Sequence, residues 1–278
     1  MLPSDLQNVM RVSRRLMRAA ADPVGTWDKA LDRFLESREY RRPLHPYPVT
    51  ENWENTLHEA LGPSNDCAET RELETLWPQA VADLRSRGVD VGPASFYGYN
   101  DGDAALIRAI WCLVRHLRPN AVVETGVGHG FTSRFVLEAL KRNGQGTLTS
   151  IDRPPLNPIM RSRVGFAVPN DLRSNWKLIP GTSRRVLPPA LSVLGTIDIF
   201  IHDSLHTERN VRFEVDRAWR ALRPGGALVI DDVDTNWGLH SFLDKFNPDF
   251  FVVCRAEPVR PDTRRFNGKG LFAIIFKN

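Results

Sequence analysis

The order of hydrophobic and polar positions divides the chain into a helical first part and a second part in which strands and helices alternate. Up to about Leu61, apolar residues recur every three or four positions, which predicts amphipathic helices. A proline-rich stretch, residues 41–48, interrupts this pattern because proline has no backbone donor and restricts the residue before it. Further helices are predicted over residues 67–87 and 106–117.

From Asn120 onward, short β-rich runs alternate with helical segments, which is typical of a parallel sheet with helical crossovers. The seven predicted strands comprise residues 121–124, 148–152, 176–179, 197–201, 227–230, 250–253 and 271–276, and a turn at 223–226 introduces the fifth. They predict an α/β fold with a Rossmann-like, doubly wound seven-stranded sheet, mostly parallel, whose last strand is antiparallel. We predict a helical N-terminal extension over residues 1–95, which is either a lid or an oligomer interface, and an α/β domain over residues 96–278.

Composition and charge exclude several classes of protein. The 278 residues are 42% hydrophobic and carry a net charge of +4, which indicates a globular chain and does not require a nucleic-acid partner. The three cysteines are far apart and form no CxxC motif, so neither a disulfide framework nor a thiolate zinc site is indicated. No apolar run has the length of a membrane span. We therefore expect a cytoplasmic protein with no membrane partner.

A glycine-rich loop follows the first predicted strand. It contains Gly126, Gly128 and Gly130, and an amphipathic helix begins directly after it. Glycine lets the backbone approach a ligand closely, and the free N–H groups at a helix start attract an anion. A dinucleotide fingerprint would place the third glycine at position 131, where Phe131 stands. The loop alone also fits a structural turn, but the acid at Asp152, which closes the second strand, favours a bound cofactor.

The pattern Glu-x-Gly-x-Gly-x-Gly, with a second acid at the next strand end, resembles the class I S-adenosylmethionine-dependent methyltransferases. The resemblance implies that Glu124 lies under the methionine amino group and that the three loop glycines line the cofactor. It also implies that Thr132 hydrogen-bonds the methionine carboxylate, that Asp152 holds the ribose hydroxyls and that Ser183 borders the adenine. On this interpretation residues 96–278 form the S-adenosylmethionine-binding methyltransferase domain.

Three carboxylates are predicted to converge where the fourth and fifth strands end. Asp203 follows the fourth strand, and Asp231 and Asp232 close the fifth. Parallel strands end at the same edge of a sheet, where open α/β folds bind their ligands. Carboxylates held so close repel one another, and a divalent cation such as Mg²⁺ would neutralise them. Taken singly, the same residues also fit helix caps and turn formers.

Together with His206, these aspartates resemble the metal-dependent small-molecule O-methyltransferases, in the branch that includes sugar O-methyltransferases and cephalosporin hydroxylase-like proteins. The resemblance implies that Asp203, Asp231 and Asp232 bind Mg²⁺ or another divalent cation. It further implies that His206 is the general base and acts together with Asp203. An iron site made of His202, Asp203 and His206 is disfavoured, because adjacent residues of a strand point to opposite faces.

We therefore expect methyl transfer from S-adenosylmethionine to a hydroxyl of a small molecule, such as a sugar, phenol or natural product, with Mg²⁺-assisted deprotonation. The alternatives are a metal-independent or nucleic-acid methyltransferase, a cofactor-binding homologue without activity, and a nicotinamide dehydrogenase. Nucleic acid is not the expected partner, because no base-clamp motif of the Asn-Pro-Pro-Tyr type follows the fourth strand. The N-terminal helices either cover the active site or form the interface of a homo-oligomer.

Overall fold

The computed structural model of the protein describes residues 23–39, 45–62, 68–88, 103–153, 155, 158–257 and 270–278. It divides into two compact units, of which the first ends at Pro43 and the second begins at Leu44. In the first unit, the described residues form helix α1, Pro23–Glu39. The predicted domain boundary between residues 95 and 96 lies outside the described residues, so that division stays a prediction.

The second unit is built from helices and strands that alternate along most of its length. Its helices are α2 (Trp53–Leu61), α3 (Ala68–Ser86), α4 (Ala104–Leu117), α5 (Phe131–Asn143), α6 (Pro158–Arg161), α7 (Ser183–Leu194), α8 (Glu208–Ala221) and α9 (Gly238–Phe246). Its strands are β1 (Ala121–Thr125), β2 (Thr147–Asp152), β3 (Trp176–Pro180), β4 (Ile197–His202), β5 (Leu222–Ile230), β6 (Phe250–Arg255) and β7 (Leu271–Phe276). Short 3₁₀ helices occupy Asn170–Asn175 and Val233–Thr235.

The strands form one seven-stranded sheet in the order β3-β2-β1-β4-β5-β7-β6. Strands β1 to β5 are parallel, and β7 runs antiparallel to both β5 and β6. The predicted fold is therefore confirmed, including the antiparallel last strand. One detail differs, since β5 already begins at Leu222 and includes residues 223–226, which were predicted as a turn. The backbone explains this difference: Gly225 N donates to Lys277 O, and Lys277 N donates to Gly226 O.

Two hydrophobic cores cover the two faces of the sheet, because successive strand residues point in opposite directions. Val122 and Ile199 belong to the core that includes α4 and α5. Val123 and Phe200, one position further along each strand, belong to the core that includes α7 and α8. The central strands are thus buried on both faces, which leaves their carboxyl ends as the places where polar side chains collect.

No helix among the described residues is both long enough and apolar enough to span a membrane. The side chains of Cys112 and Cys254 are buried.

Candidate active site

The candidate site lies at the carboxyl edge of the sheet, between β1 and β4. The strand order reverses at this point, since β1 continues to β2 on one side while β4 continues to β5 on the other. Such a topological switch point is where open α/β sheets bind ligands. Backbone hydrogen bonds between neighbouring strands continue just past the strand ends: Asp203 N donates to Thr125 O, and Asp231 N donates to His202 O, each at 2.9 Å. These bonds bring the residues that follow β1, β4 and β5 to one edge.

The glycine loop after β1 packs directly against the segment after β4. Gly126 has φ +85°, and a Cβ there would lie 1.7 Å from the carbonyl oxygen of Asp203. Gly130 has φ +82°, and a Cβ there would lie 2.9 Å from the Cα of Gly165. Gly128 is also left-handed, with φ +51°. The loop therefore requires glycine at Gly126 and Gly130 both for the backbone conformation and for the space around it.

Glu124 is completely buried beneath the start of α5. Its Oε2 atom accepts hydrogen bonds from Ser133 Oγ at 2.6 Å and Ser150 Oγ at 2.7 Å. Its Oε1 atom is buried and has no hydrogen-bond partner among the described residues. Burial raises the pKa of Glu124 to about 7, although the two serines oppose the shift. An added cation near Oε1 would satisfy this carboxylate.

Asp152 joins the end of β2 to the glycine loop. Its Oδ2 atom accepts hydrogen bonds from the backbone N–H groups of Val127 at 3.1 Å and Gly128 at 2.9 Å. Burial raises the pKa of Asp152, the loop N–H groups oppose that shift, and the nearby charge of Asp203 adds to it. The acid at the second strand end is thus in direct contact with the loop, as a shared cofactor site requires.

Thr132 and Ser183 occupy the starts of two helices at this edge. Thr132 is the second residue of α5 and is half-buried. Ser183 is the first residue of α7, and its Oγ atom lies 3.5 Å from Asn210 Oδ1.

An acidic cluster with one histidine follows β4 and β5. Asp203, His206 and Asp231 each place one possible ligand atom within 4.8 Å of the other two. His206 lies between two carboxylates, with its Nε2 atom 3.6 Å from Asp203 Oδ1 and its Nδ1 atom 3.7 Å from Asp232 Oδ2. The predicted convergence of these four residues is therefore present in the structure. The three residues that meet most closely are Asp203, His206 and Asp231. Asp232 instead lies near the Nδ1 atom of His206, on the side of the imidazole opposite Asp203.

The charges in this cluster perturb one another strongly. Burial and the charges of Asp232 and Asp203 raise the pKa of Asp231 well above its ordinary value. Burial alone would lower the pKa of His206, but the carboxylates of Asp203 and Asp232 outweigh it and raise that pKa. Asp232 also has a left-handed backbone, with φ +51°, which is uncommon for a residue other than glycine. Such strain together with perturbed titration is typical of functional sites.

Residues 123–233 match the family model described as a methyltransferase domain. The matched segment runs from β1 to the 3₁₀ helix after β5 and contains all the candidate residues described above. The predicted resemblance to class I methyltransferases is thus confirmed for the type of domain and its fold.

Solved structures share the fold of this chain. A putative O-methyltransferase from Klebsiella pneumoniae has 17% identity and a TM-score of 0.50, and the match covers 81% of this chain and 96% of that one. The cofactor-bound protein Rv0187 from MTB has 15% identity and a TM-score of 0.50, with coverage of 72% and 91%. Among curated proteins, none matches the chain.

The structure adds two residues to the site that sequence reasoning did not assign to it, His202 and Glu214. His202 Nδ1 lies 2.6 Å from Glu214 Oε2, and both side chains are fully buried. The Nδ1 atom of His202 is therefore directed to Glu214 on α8 and not to a carboxylate of the acidic cluster. The available signal for Glu214 was its position on the buried stripe of α8, between Val211 and Val215.

Proposed function

We propose that the chain is an S-adenosylmethionine-dependent O-methyltransferase that acts on a hydroxyl group of a small molecule, such as a sugar, phenol or natural product, with the help of a divalent cation. The observation that carries this proposal is the contact between the glycine loop and the acidic cluster, where a Cβ on Gly126 would collide with the Asp203 backbone. A cofactor on the loop and a cation in the cluster would be neighbours. The putative O-methyltransferase from Klebsiella pneumoniae, which shares the fold, supports oxygen as the acceptor atom.

For the cofactor, we assign the roles that the class I resemblance implies. The unpartnered, buried Oε1 atom of Glu124 suits the ammonium group of the methionine part. Gly126, Gly128 and Gly130 would line the cofactor, and Thr132 at the start of α5 would bind the methionine carboxylate. Asp152 would hold the ribose hydroxyls, with the loop N–H groups fixing its orientation, and Ser183 would border the adenine.

For the cation, the donor set fits a hard divalent ion. Asp203, Asp231 and Asp232 offer carboxylate oxygens, which Mg²⁺ prefers. The raised pKa of Asp231 reports an uncompensated negative charge that such an ion would neutralise. When bound, the ion would lower the pKa of an acceptor hydroxyl. If His206 serves as a ligand instead, the site should prefer Mn²⁺, Co²⁺ or Zn²⁺ over Mg²⁺, so metal preference separates the two assignments.

His206 is the general base of the proposed reaction. When bound, S-adenosylmethionine would supply the methyl group to the acceptor oxygen and be left as S-adenosylhomocysteine, and an imidazole nitrogen of His206 would take the hydroxyl proton. Asp203 and Asp232, one near each ring nitrogen, would orient the imidazole and stabilise the imidazolium that forms. The sheet edge would hold the oxygen in line with the methyl group.

The test uses the purified full chain with S-adenosylmethionine, Mg²⁺ and a panel of hydroxylated sugars and phenols, with formation of S-adenosylhomocysteine as the readout. We expect Asp203→Asn to lower turnover by about 100-fold or more, since it would misplace the general base His206, and general acid–base catalysis contributes that much. Its affinity for S-adenosylhomocysteine, measured by calorimetry, should stay close to that of the wild type. Asp244→Asn, an exposed carboxylate on α9, is the matched control.

Four outcomes would contradict parts of the proposal. Unchanged turnover in EDTA would favour a metal-independent methyltransferase. Methylation of DNA or RNA, with none of the small molecules, would favour a nucleic-acid methyltransferase. Failure to bind S-adenosylhomocysteine would refute the cofactor assignment. Binding of S-adenosylhomocysteine without turnover of any acceptor would favour a non-catalytic homologue. A cytoplasmic location, expected from the cysteine pattern, stays a prediction.

A further inference from the structure

Glu214 is a fully buried carboxylate to which the proposed reaction gives no role. It lies on α8, on the same helix face as the buried Val211, Val215 and Ala218. A buried charge is costly unless hydrogen bonds and an opposite charge compensate it. The groups that compensate the charge of Glu214 therefore indicate the role of this residue.

Apart from Asn210 on its own helix, the hydrogen-bond partners of Glu214 come from three different segments at the sheet edge. Its Oε2 atom accepts a hydrogen bond from Thr125 Oγ1 at 2.5 Å, at the end of β1, and lies 2.6 Å from His202 Nδ1, at the end of β4. Its Oε1 atom accepts from Ser204 Oγ and from Asn210 Nδ2, each at 2.9 Å. One carboxylate thus ties β1, β4 and the loop after β4 to α8.

These contacts flank the residues of the acidic cluster. His202 and Ser204 stand directly before and after Asp203 in the chain. The His202 ring packs edge-on against His206, with ring centroids 5.5 Å apart and an angle of 67° between the planes. His202 Nε2 is buried without a hydrogen-bond partner among the described residues, so the contact with Glu214 orients this ring.

Glu214 is held in its charged form. Burial alone would raise its pKa, but the charge of His202 and the surrounding hydrogen bonds lower the pKa of Glu214 to about 2. A charged carboxylate accepts hydrogen bonds from all of these donors at once, through both of its oxygens. The neutral amide of glutamine does not, because the amide nitrogen only donates.

We propose that Glu214 is a positioning residue of the active site: by holding His202 and Ser204, it fixes Asp203 where this carboxylate binds the divalent cation and keeps His206 beside Asp203. This inference rests on the proposed function, because the cation belongs to that proposal. Residues that orient metal ligands through hydrogen bonds commonly change metal affinity 10- to 100-fold when they are replaced. A carboxylate that only fills the core would affect stability and leave cation affinity unchanged in the folded protein.

The test compares Glu214→Gln with the wild type and with Asp216→Asn, a control on the same helix whose carboxylate pairs with Lys245. Affinity for Mn²⁺ is measured by electron paramagnetic resonance, affinity for S-adenosylhomocysteine by calorimetry, and folding by circular dichroism. We expect Glu214→Gln to raise the Kd for Mn²⁺ by about tenfold or more, with the Kd for S-adenosylhomocysteine within about twofold of the wild type. The control should match the wild type in both.

Wild-type Mn²⁺ affinity in a folded Glu214→Gln would overturn the positioning role, while the proposed function would stand. Absence of Mn²⁺ binding in the wild type would instead refute the metal-dependent function itself. If Glu214→Gln does not fold, Ser204→Ala replaces it, because that change removes only the hydroxyl that donates to Oε1. A several-fold weaker Mn²⁺ affinity in Ser204→Ala would then support the role, and an unchanged affinity would overturn it.

Discussion

Glu124→Gln is expected to make the protein more stable at neutral pH and at the same time a weaker binder of its cofactor. Burial raises the pKa of Glu124 from an ordinary 4.5 to about 7. Between these values the folded protein binds a proton that the unfolded chain has released, so the free energy of unfolding falls as pH rises through this window. The shift corresponds to about 3 kcal/mol once both states are ionised. Glutamine has the same shape and does not ionise, so it removes this penalty.

The assay is urea unfolding of wild type and Glu124→Gln between pH 4 and pH 8, followed by far-UV circular dichroism. The difference in unfolding free energy should be small at pH 4 and should grow in favour of the variant to about 3 kcal/mol near pH 8. Glu138→Gln, a half-buried residue of α5 that is paired with Arg142, is the control and should show no such growth. A difference that does not vary with pH would refute the reasoning about burial.

Calorimetry on the same proteins tests the functional half of this prediction. If the Glu124 carboxylate faces the ammonium group of the cofactor, Glu124→Gln should bind S-adenosylhomocysteine at least about tenfold more weakly, in keeping with the loss of a hydrogen bond to a charged group. An unchanged affinity of Glu124→Gln for S-adenosylhomocysteine would show that Glu124 has no part in cofactor binding.

Two further predictions concern the loop and the cluster. Gly126→Ala should destabilise the protein by about 3 kcal/mol or more, because its Cβ would lie 1.7 Å from the carbonyl oxygen of Asp203. The control Gly144→Ala, at a position with φ +69° and no atom within 4 Å of the added Cβ, should cost only about 1–2 kcal/mol. Equal losses of unfolding free energy in urea would refute the predicted clash at Gly126. Asp231→Asn should raise the melting temperature of the metal-free protein above pH 7, because burial and like charges raise the pKa of Asp231, and should abolish the further rise with Mg²⁺. Saturating Mg²⁺, at 100 times its Kd, should stabilise the wild type by about 2.7 kcal/mol, and an equal gain in Asp231→Asn would contradict the assignment.

The strands and their approximate positions could be predicted because buried central strands leave uninterrupted apolar runs such as residues 227–230. The meeting of Asp203 with Asp231 could be predicted as well, because parallel strands share one carboxyl edge. Both inferences depend only on local pattern and on the geometry of a parallel sheet.

The contacts within the site depend on features that no local pattern carries. Asp232 approaches His206 from a left-handed backbone, which a pair of adjacent aspartates does not indicate. Glu214 is charged and lies on a helix rich in charged residues, so its place on the apolar stripe of α8 indicates burial but does not indicate its partners. Its burial follows from donors that β1, β4 and the loop after β4 bring together only in the folded protein.

The most direct test of the account is a crystal structure of the full chain with S-adenosylhomocysteine and Mn²⁺, with the metal located by its anomalous scattering. The account predicts a manganese peak contacted by Asp203 and Asp231, and S-adenosylhomocysteine lying over Gly126 to Gly130 with its sulfur facing that peak. A manganese peak away from these aspartates, or S-adenosylhomocysteine bound elsewhere, would contradict the claim that the loop and the cluster form one active site.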